Sequence, residues 1–501
     1  MCKIGILFEN RDFEHDVYEL IKAFYPEAEI HTLYENTEAE YDLRFSVERD
    51  NDSYIIKYER TENLSKQETE QKGVISADIL SKENAGCGIQ DAHALRKENK
   101  DNIKYALYQL LVKLTGRTLP WGNLTGIRPA KLAMGMIESG MKNTEAAREM
   151  RERYLVSPQK TALAITIANR EREILKDIDY ENGYSLYIGI PFCPSICLYC
   201  SFSSYPLKVW EKRTDEYVEA LCREVRETAL MMKGRKLDTI YIGGGTPTTL
   251  LPHQIRKLLD TVGEAFGYEG LAEFTVEAGR PDTITPEKLE AIKAAGVGRI
   301  SVNPQTMNDS VLKAIGRSHD SRQTEEAFLM ARETGFDVIN MDLIAGLPTD
   351  TFDSFAASLD AVCGLSPENI TVHSLSLKRA AALFREGKEG AAGETERMID
   401  YAHQKLAEHG YIPYYLYRQK NTADNQENTG YAKPGTESLY NTYIMEELQT
   451  ILAVGAGAST KLVDRRTGRI KRITNHKYPY EYLDRFNDIL ENKREIFSFF
   501  V

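Results

Sequence analysis

Apolar and polar positions change rhythm twice along the chain, and each rhythm predicts a different kind of element. Lys3 to Phe8 is a short apolar run, Phe13 to Phe24 repeats apolar residues at helical spacing, and Glu29 to Leu33 is a second short run. These predict a strand, an amphipathic helix and a strand. Two polar runs, Tyr41 to Val47 and Tyr54 to Arg60, predict a strand pair, and a charged stretch follows from Thr61 to Gln71. From about Asn102 to Leu175 the apolar spacing becomes three and four, as in Ile103, Ala106, Leu107, Leu110, Leu111 and Leu114. That pattern predicts helices, one of them opened by the Gly/Pro turn in Leu124–Lys131.

After Tyr184 the rhythm shortens again. Six β-rich runs, Ser185 to Phe192, Thr239 to Gly243, Glu273 to Glu277, Arg299 to Pro304, Val338 to Ile344 and Ile370 to Leu377, alternate with helical stretches. Alternation of this kind predicts parallel β/α units, and at this length a partial (β/α)6 barrel. Functional residues are then expected at the C-terminal ends of the strands. Beyond Glu394 come a helix (Arg397 to His409), a Tyr-rich strand (Tyr411 to Tyr417), a polar stretch to Glu437, and a turn at Gly455–Ala458 before a closing hairpin and helix. The expected fold class is α/β, divided into an N-terminal α/β domain (1–100), a helical linker region (101–178), the barrel (179–393) and a C-terminal α+β extension (394–501).

Composition narrows the class. The 501 residues carry a net charge of −12, which weighs against a surface built to hold nucleic acid. No apolar run approaches the roughly 18 residues of a membrane span. The apolar start soon meets Glu9, Asn10, Arg11 and Asp12, too early for a signal peptide. A cytoplasmic protein is expected.

Seven cysteines are present, and three of them, Cys193, Cys197 and Cys200, share one loop after the first barrel strand. Pro191 and Pro194 keep that loop out of a helix. Structural zinc takes four ligands, commonly as two pairs, and no second pair lies nearby. Three thiolates leave one metal position open, and an open iron on a cubane can be chelated by an amine and a carboxylate while the cluster passes on an electron. One β/α unit later, Ile242-Gly-Gly-Gly-Thr-Pro-Thr248 follows a strand and opens a helix, so bare backbone amides and a carbonyl are expected to face a ligand there.

The Cx3Cx2C loop resembles the signature of the radical S-adenosylmethionine (SAM) superfamily. With Tyr187 and Ile190-Pro191-Phe192 in register, the chain resembles the oxygen-independent coproporphyrinogen III dehydrogenase (oxidase) family, and within it the HemZ type. The resemblance implies a 4Fe-4S cluster on Cys193, Cys197 and Cys200, with SAM on its fourth iron. It also implies SAM contacts at Tyr187, Tyr199, Gly244, Gly245, Thr246, Glu277, Gln305, Arg317 and Asp342, in the family's order and spacing. An arginine facing the SAM carboxylate and acids facing hydroxyls are the expected pairings.

Family membership implies reductive cleavage of SAM, with the resulting radical taking hydrogen from propionate side chains of coproporphyrinogen III; decarboxylation to vinyl groups then gives protoporphyrinogen IX. An electron donor such as flavodoxin or ferredoxin is implied as a partner. One departure stands out: the known decarboxylases carry a fourth cysteine where this chain has Phe202, as in the haem-chaperone branch. The enzyme reading offers Lys378, Arg379 and Arg418 for substrate carboxylates. The haem-binding reading offers His373 and His319 as axial ligands. A third reading, modification of RNA, is weighed against by the acidic balance.

Overall fold

Two compact units, Met1–Ile165 and Thr166–Val501, make up the computed structural model. It describes every residue except 1, 10, 36–39, 51–52, 65–66, 79–91, 127, 377–380, 386–392, 420–421 and 501.

In the first unit, β1 (Lys3–Phe8), α1 (Glu14–Phe24), β2 (Glu29–Leu33), β3 (Leu43–Asp50), β4 (Ser53–Leu64) and β5 (Gln67–Asp78) form a five-stranded sheet in the order β2-β1-β3-β4-β5. Helix α1 buries Val17, Leu20, Ile21 and Phe24, the one face its spacing defines. These residues meet Ile4, Ile6 and Phe45 of the sheet and Ile103, Leu107 and Leu111 of α2 (Ala92–Thr115). Of the charged stretch, residues 61–64 lie in β4 and 67–71 in β5, strands that pair over twelve positions. Charge does not forbid a strand at a sheet edge, where neither face must be buried. Helices α3 (Pro129–Glu138) and α4 (Asn143–Glu152) follow, and α5 (Pro158–Ile174) runs from one unit into the other. Pro129 opens α3, as the Leu124–Lys131 turn predicts.

The second unit begins with β6 (Gly183–Ile190), the short pair β7 (Phe192–Cys193) and β8 (Tyr205–Pro206), and helices α6 (Leu207–Trp210) and α7 (Thr214–Met231). Then β9 (Lys236–Gly244), α8 (Pro252–Phe266), β10 (Glu273–Glu277), α9 (Pro286–Ala294), β11 (Arg299–Ser301), α10 (Asp309–Ala314), α11 (Ser321–Glu333), β12 (Val338–Ala345), α12 (Phe352–Leu365) and β13 (Asn369–Ser374) continue the alternation. The six strands β6 and β9 to β13 lie side by side in chain order, all parallel. This is the open (β/α)6 barrel expected, with every strand's C-terminal end on one rim. Strand β11 stops at Ser301, short of Pro304. Past it, Gln305 takes a positive φ of 70° and bridges to Leu343 instead of extending the ladder.

Residues 394–501, expected as an extension, are woven into this sheet. After α13 (Ala382–Arg385) and α14 (Thr395–Glu408), β14 (Ile412–Arg418) and β15 (Glu427–Ala432) add antiparallel strands beside β13. Helix α15 (Leu439–Glu446) leads to β16 (Thr450–Val454), which pairs in parallel with β6 at the opposite edge, and β17 (Ser459–Asp464) and β18 (Arg469–Thr474) finish the eleven-stranded sheet. Helices α16 (Pro479–Asp484), α17 (Phe486–Lys493) and α18 (Glu495–Phe499) end the chain.

Strand periodicity sorts the side chains. On β6, Leu186, Ile188 and Ile190 are fully buried in the main apolar core with Val218, Leu221 and Leu258 of the helices. The alternate positions carry polar groups that meet across the lumen: Thr239 Oγ1 donates to Ser185 Oγ at 2.8 Å, and the Tyr241 phenol donates to the Glu277 carboxylate. Tyr440 of α15 stacks on Tyr241 with ring centroids 4.4 Å apart, and Leu439 N donates to Glu273 at 2.8 Å, so this helix closes the base of the barrel.

Candidate functional site

The cysteine loop leaves β6 at the C-terminal rim and is tied down along its length. Gly245 N donates to Ile190 O at 2.7 Å and Thr246 N to Phe192 O at 2.8 Å, while Tyr205 N reaches Pro191 O at 2.8 Å. Farther along, Leu198 N donates to Ile315 O at 3.0 Å and Ser195 Oγ to Gly316 O at 3.3 Å. The glycine turn therefore uses its Gly245 and Thr246 amides to hold the loop. This corrects the expectation that bare amides face a ligand, and it leaves carbonyl oxygens as what the turn can offer a positively charged amine. A Cβ on Gly245 would lie 2.6 Å from the Phe192 carbonyl oxygen and 3.0 Å from that of Ile190. Gly245→Ala is therefore expected to push the root of the loop aside, costing about 1–3 kcal/mol, with a lower Tm and weaker iron retention after reconstitution as the readouts.

Cys197 is buried, and Cys193 and Cys200 are half-buried. Cys193 Sγ lies 3.5 Å from Thr246 Oγ1, and Cys200 Sγ lies 3.9 Å from Ser204 Oγ. Burial pushes the Cys193 and Cys200 thiols up, and the neighbouring sulfurs add to the shift. A bare thiolate is thus disfavoured there, and a bound cation is what would hold one. Among the described residues no three His, Cys, Asp or Glu side chains are grouped so as to hold a metal ion. The sulfurs are close enough to feel one another's charge, and three thiolates from one loop suit a polynuclear cluster.

Around the loop the lumen supplies polar groups from successive strands. Tyr187 and Tyr241 stack with centroids 6.3 Å apart. Glu277 ends β10 beside Gly243, where a Cβ would meet its Oε2 at 2.8 Å, so the glycine makes room for the carboxylate. Burial pushes the Glu277 carboxyl up to about 7, with the Asp342 charge adding and the Tyr241 hydrogen bond opposing. Between its ordinary pKa and about 7 the folded chain holds a proton that the unfolded chain has lost, so this group's contribution to stability falls as pH rises through that window. Glu277→Gln is expected to flatten the fall and to leave the protein about 1–3 kcal/mol more stable than the parent near pH 8, measured by denaturation across pH.

Asp342 accepts from Asn340 Nδ2 at 2.8 Å and lies 3.8 Å from His373 Nε2. Burial alone would raise its carboxyl; His373, Asn340 and Thr371 outweigh burial and hold it below the usual carboxylate range. Gln305 Oε1, Asn303 Oδ1 and Ser301 Oγ, all on or just past β11, are buried without a hydrogen-bond partner. Buried acceptors are normally satisfied, so these three suit a polar ligand.

Arg317, nearly buried, donates from Nη1 to Asn303 O at 2.7 Å and Gly279 O at 3.4 Å, and from Nε to the Tyr199 hydroxyl at 3.3 Å. Burial works against its charge, and Tyr199 and Cys197 more than restore it. Tyr199 otherwise packs on an apolar cluster of Val311, Leu312 and Leu347, so of its ring only the hydroxyl joins the polar set.

Arg280 is the residue that sequence reasoning missed. It is 3% exposed, pairs bidentately with Asp282 at 2.9 Å and 2.9 Å, and reaches the cysteine loop through Nη1. A lone arginine in a loop usually means a solvated charge; the signal here is an acid two residues on, just past a strand end on the functional rim. His319 has a wholly buried side chain 3.8 Å from Asp282, and burial pushes it down to about 4. His373 is a quarter exposed and lies 3.5 Å from the Tyr417 hydroxyl. Arg418, at the same rim, donates to Asn425 O at 3.3 Å, and burial pulls it down to about 10. Lys378 and Arg379 lie outside the described residues. A cavity of about 800 Å3 opens at the opposite, N-terminal end of the barrel beside Glu273, Arg299 and Glu437. Its charges already pair with one another, Arg299 with Glu273 and Arg170 with Glu437, which marks it as packing at the base and not as the reaction site.

Comparison with known proteins gives the family. The profile of the Radical SAM superfamily matches residues 187–362. The oxygen-independent coproporphyrinogen-III oxidase-like protein HemZ of Bacillus subtilis (strain 168) is 39% identical over 449 residues, 86% of this chain and 89% of that protein. The heme chaperone HemW of the same organism is 34% identical over 58% of this chain and 74% of its own length. The crystallised coproporphyrinogen III oxidase HemN of Escherichia coli, a radical SAM enzyme, shares the fold with a TM-score of 0.51 at 24% identity, over 64% of this chain and 72% of that one. No helix among the described residues is long and apolar enough to cross a membrane. The chain belongs to the oxygen-independent coproporphyrinogen III oxidase family of radical SAM proteins, the family that includes HemZ, HemW and HemN.

Proposed function

We propose that this protein is a radical SAM oxidoreductase that decarboxylates propionate side chains of coproporphyrinogen III to vinyl groups. The observation that carries the reading is the three-cysteine loop, pinned at the barrel rim against the glycine turn and open to a lumen of acids and unsatisfied acceptors. In this reading Cys193, Cys197 and Cys200 hold a 4Fe-4S cluster. When bound there, such a cluster would supply one-electron reduction of SAM, giving a radical able to take hydrogen from an unactivated C–H bond.

The chain's own residues supply the rest. Carbonyls of the Gly244–Thr246 turn would take the SAM amine, and the charged Arg317 would pair with the carboxylate. Glu277 and Asp342 accept from hydroxyls, Gln305 completes its hydrogen bonding on the ligand, and the Tyr187 ring walls the lumen. Tyr199 contributes its hydroxyl through Arg317. Arg418 stays charged at neutral pH even with burial pulling it to about 10, and so can take a substrate carboxylate. An iron–sulfur or flavin electron carrier such as ferredoxin or flavodoxin would deliver the electron.

One observation favours a second reading, haem binding without decarboxylation. Phe202, where decarboxylases carry a fourth cysteine, is 74% exposed and offers no ligand. Of the two histidines, only His373 is open enough to meet a haem; His319 is enclosed. Anaerobic incubation of the reconstituted protein with reductant, SAM and coproporphyrinogen III, followed by mass spectrometry, separates the two. Mono- and divinyl products support the dehydrogenase. SAM cleavage with no tetrapyrrole product, together with stoichiometric haem binding lost in His373→Ala, overturns it in favour of the chaperone.

A further inference from the structure

Buried guanidinium groups must be paired, and the pairing of Arg280 is directional. Asp282 takes Nε and Nη2, both at 2.9 Å, in the fork geometry that fixes the plane of the group. That leaves Nη1 pointing into the cysteine loop, 3.2 Å from Ser195 O, 3.2 Å from Ser195 Oγ and 3.8 Å from Cys197 Sγ. Arg280 lies three residues past the end of β10, and the turn Pro281–Thr283 that carries Asp282 follows it. Asp282 stands 3.8 Å from His319, whose side chain is fully buried.

We infer that Arg280, held by Asp282, donates a charge-assisted hydrogen bond to the Cys197 thiolate and so raises the reduction potential of the cluster which that thiolate holds. The inference rests on the cluster reading above. Hydrogen bonds to cluster sulfur withdraw electron density and favour the reduced state. Arg317 also interacts with Cys197, beside its bonds to Asn303, Gly279 and Tyr199, so Arg280 is one of two guanidinium groups at that sulfur, and the one whose plane an acid fixes. The two Ser195 contacts would also clamp the loop, so a structural role alone has to be distinguished from tuning. Arg280 is in that sense a positioning residue, acting on the reaction through the metal centre.

The test is a redox titration of the reconstituted parent and Arg280→Gln, followed by the electron paramagnetic resonance signal of the reduced cluster, at matched iron content. Arg280→Gln is expected to lower the equilibrium constant for reduction about tenfold, which is about 59 mV for one electron. Arg280→Lys, which keeps the charge but not the fork, is expected to fall between the two. Equal potentials in parent and Arg280→Gln at equal iron overturn the inference and leave only a clamp. Should Arg280→Gln take up no iron, Asp282→Asn keeps the guanidinium and loosens its aim; a lowered potential supports the inference and an unchanged one overturns it. A parent that takes up no iron overturns the cluster reading itself, a result distinct from loaded proteins that titrate alike.

Discussion

Cys197→Ala is expected to fold and to hold no 4Fe-4S cluster. Folding should survive because the change removes one sulfur from a loop already fixed by backbone bonds from Leu198 to Ile315 and from Gly245 to Ile190. Such a truncation costs about 1 kcal/mol. Cluster assembly should not survive, because two protein thiolates cannot close a site that three barely define. Iron should fall from about four per chain to well under one, with the thiolate-to-iron absorption lost. Cys222→Ala and Cys363→Ala are the controls: both are buried in the barrel's apolar core, far along the chain from the loop, and are expected to keep full iron. Loss of iron in the controls alone, or its retention in Cys197→Ala, would refute the ligand assignment.

Lys493→Ala is expected to give the largest loss of stability, about 3–5 kcal/mol, because it strands a fully buried carboxylate. Glu224 and Lys493 are both unexposed and 2.7 Å apart. Glu224 also accepts from Gly455 N at 2.8 Å, the Tyr482 hydroxyl at 2.7 Å and Asn475 Nδ2 at 2.7 Å. This network binds the last strands and helices to α7 at a point where Gly455 crosses β6; a Cβ on Gly455 would lie 2.4 Å from Gly189 O, four residues before Cys193. A drop in Tm of about 10 °C is expected, with weakened iron retention following from the loosened strand. Glu224→Gln combined with Lys493→Met removes both charges and keeps an acceptor, and should recover at least half the loss. Additive losses would show that the pair contributes nothing as a pair.

The comparison of sequence with structure is uneven in an informative way. The six barrel strands could be placed because each is a short β-rich run between helical stretches; Tyr187 and Glu277 were named through the family resemblance, while Tyr241, stacked on one and bonded to the other, shows only in the fold. The cysteine loop was legible because three like ligands in eight positions have few other meanings. Arg280 was not, since nothing local distinguishes a buried arginine from a solvated one until Asp282 and Ser195 are seen around it. That the C-terminal segment joins the barrel sheet was not legible for a similar reason: Glu224 and Lys493, or β16 and β6, are joined over some 270 positions of sequence, and long-range pairing leaves no periodic trace. The glycine turn shows the finer limit. Gly-Gly-Gly made a close approach of the backbone readable, but that the Gly245 and Thr246 amides are committed to Ile190 and Phe192 was not.

The central claim is that this barrel rim holds a cluster that cleaves SAM. Anaerobic reconstitution to about four iron atoms per chain, reduction, and addition of SAM provide the direct test, with 5′-deoxyadenosine followed by liquid chromatography and the cluster's paramagnetic signal recorded before and after SAM. The account predicts a signal changed by SAM and 5′-deoxyadenosine formed in the parent but absent in Cys197→Ala. A fully loaded parent whose signal ignores SAM and which forms no 5′-deoxyadenosine would contradict it.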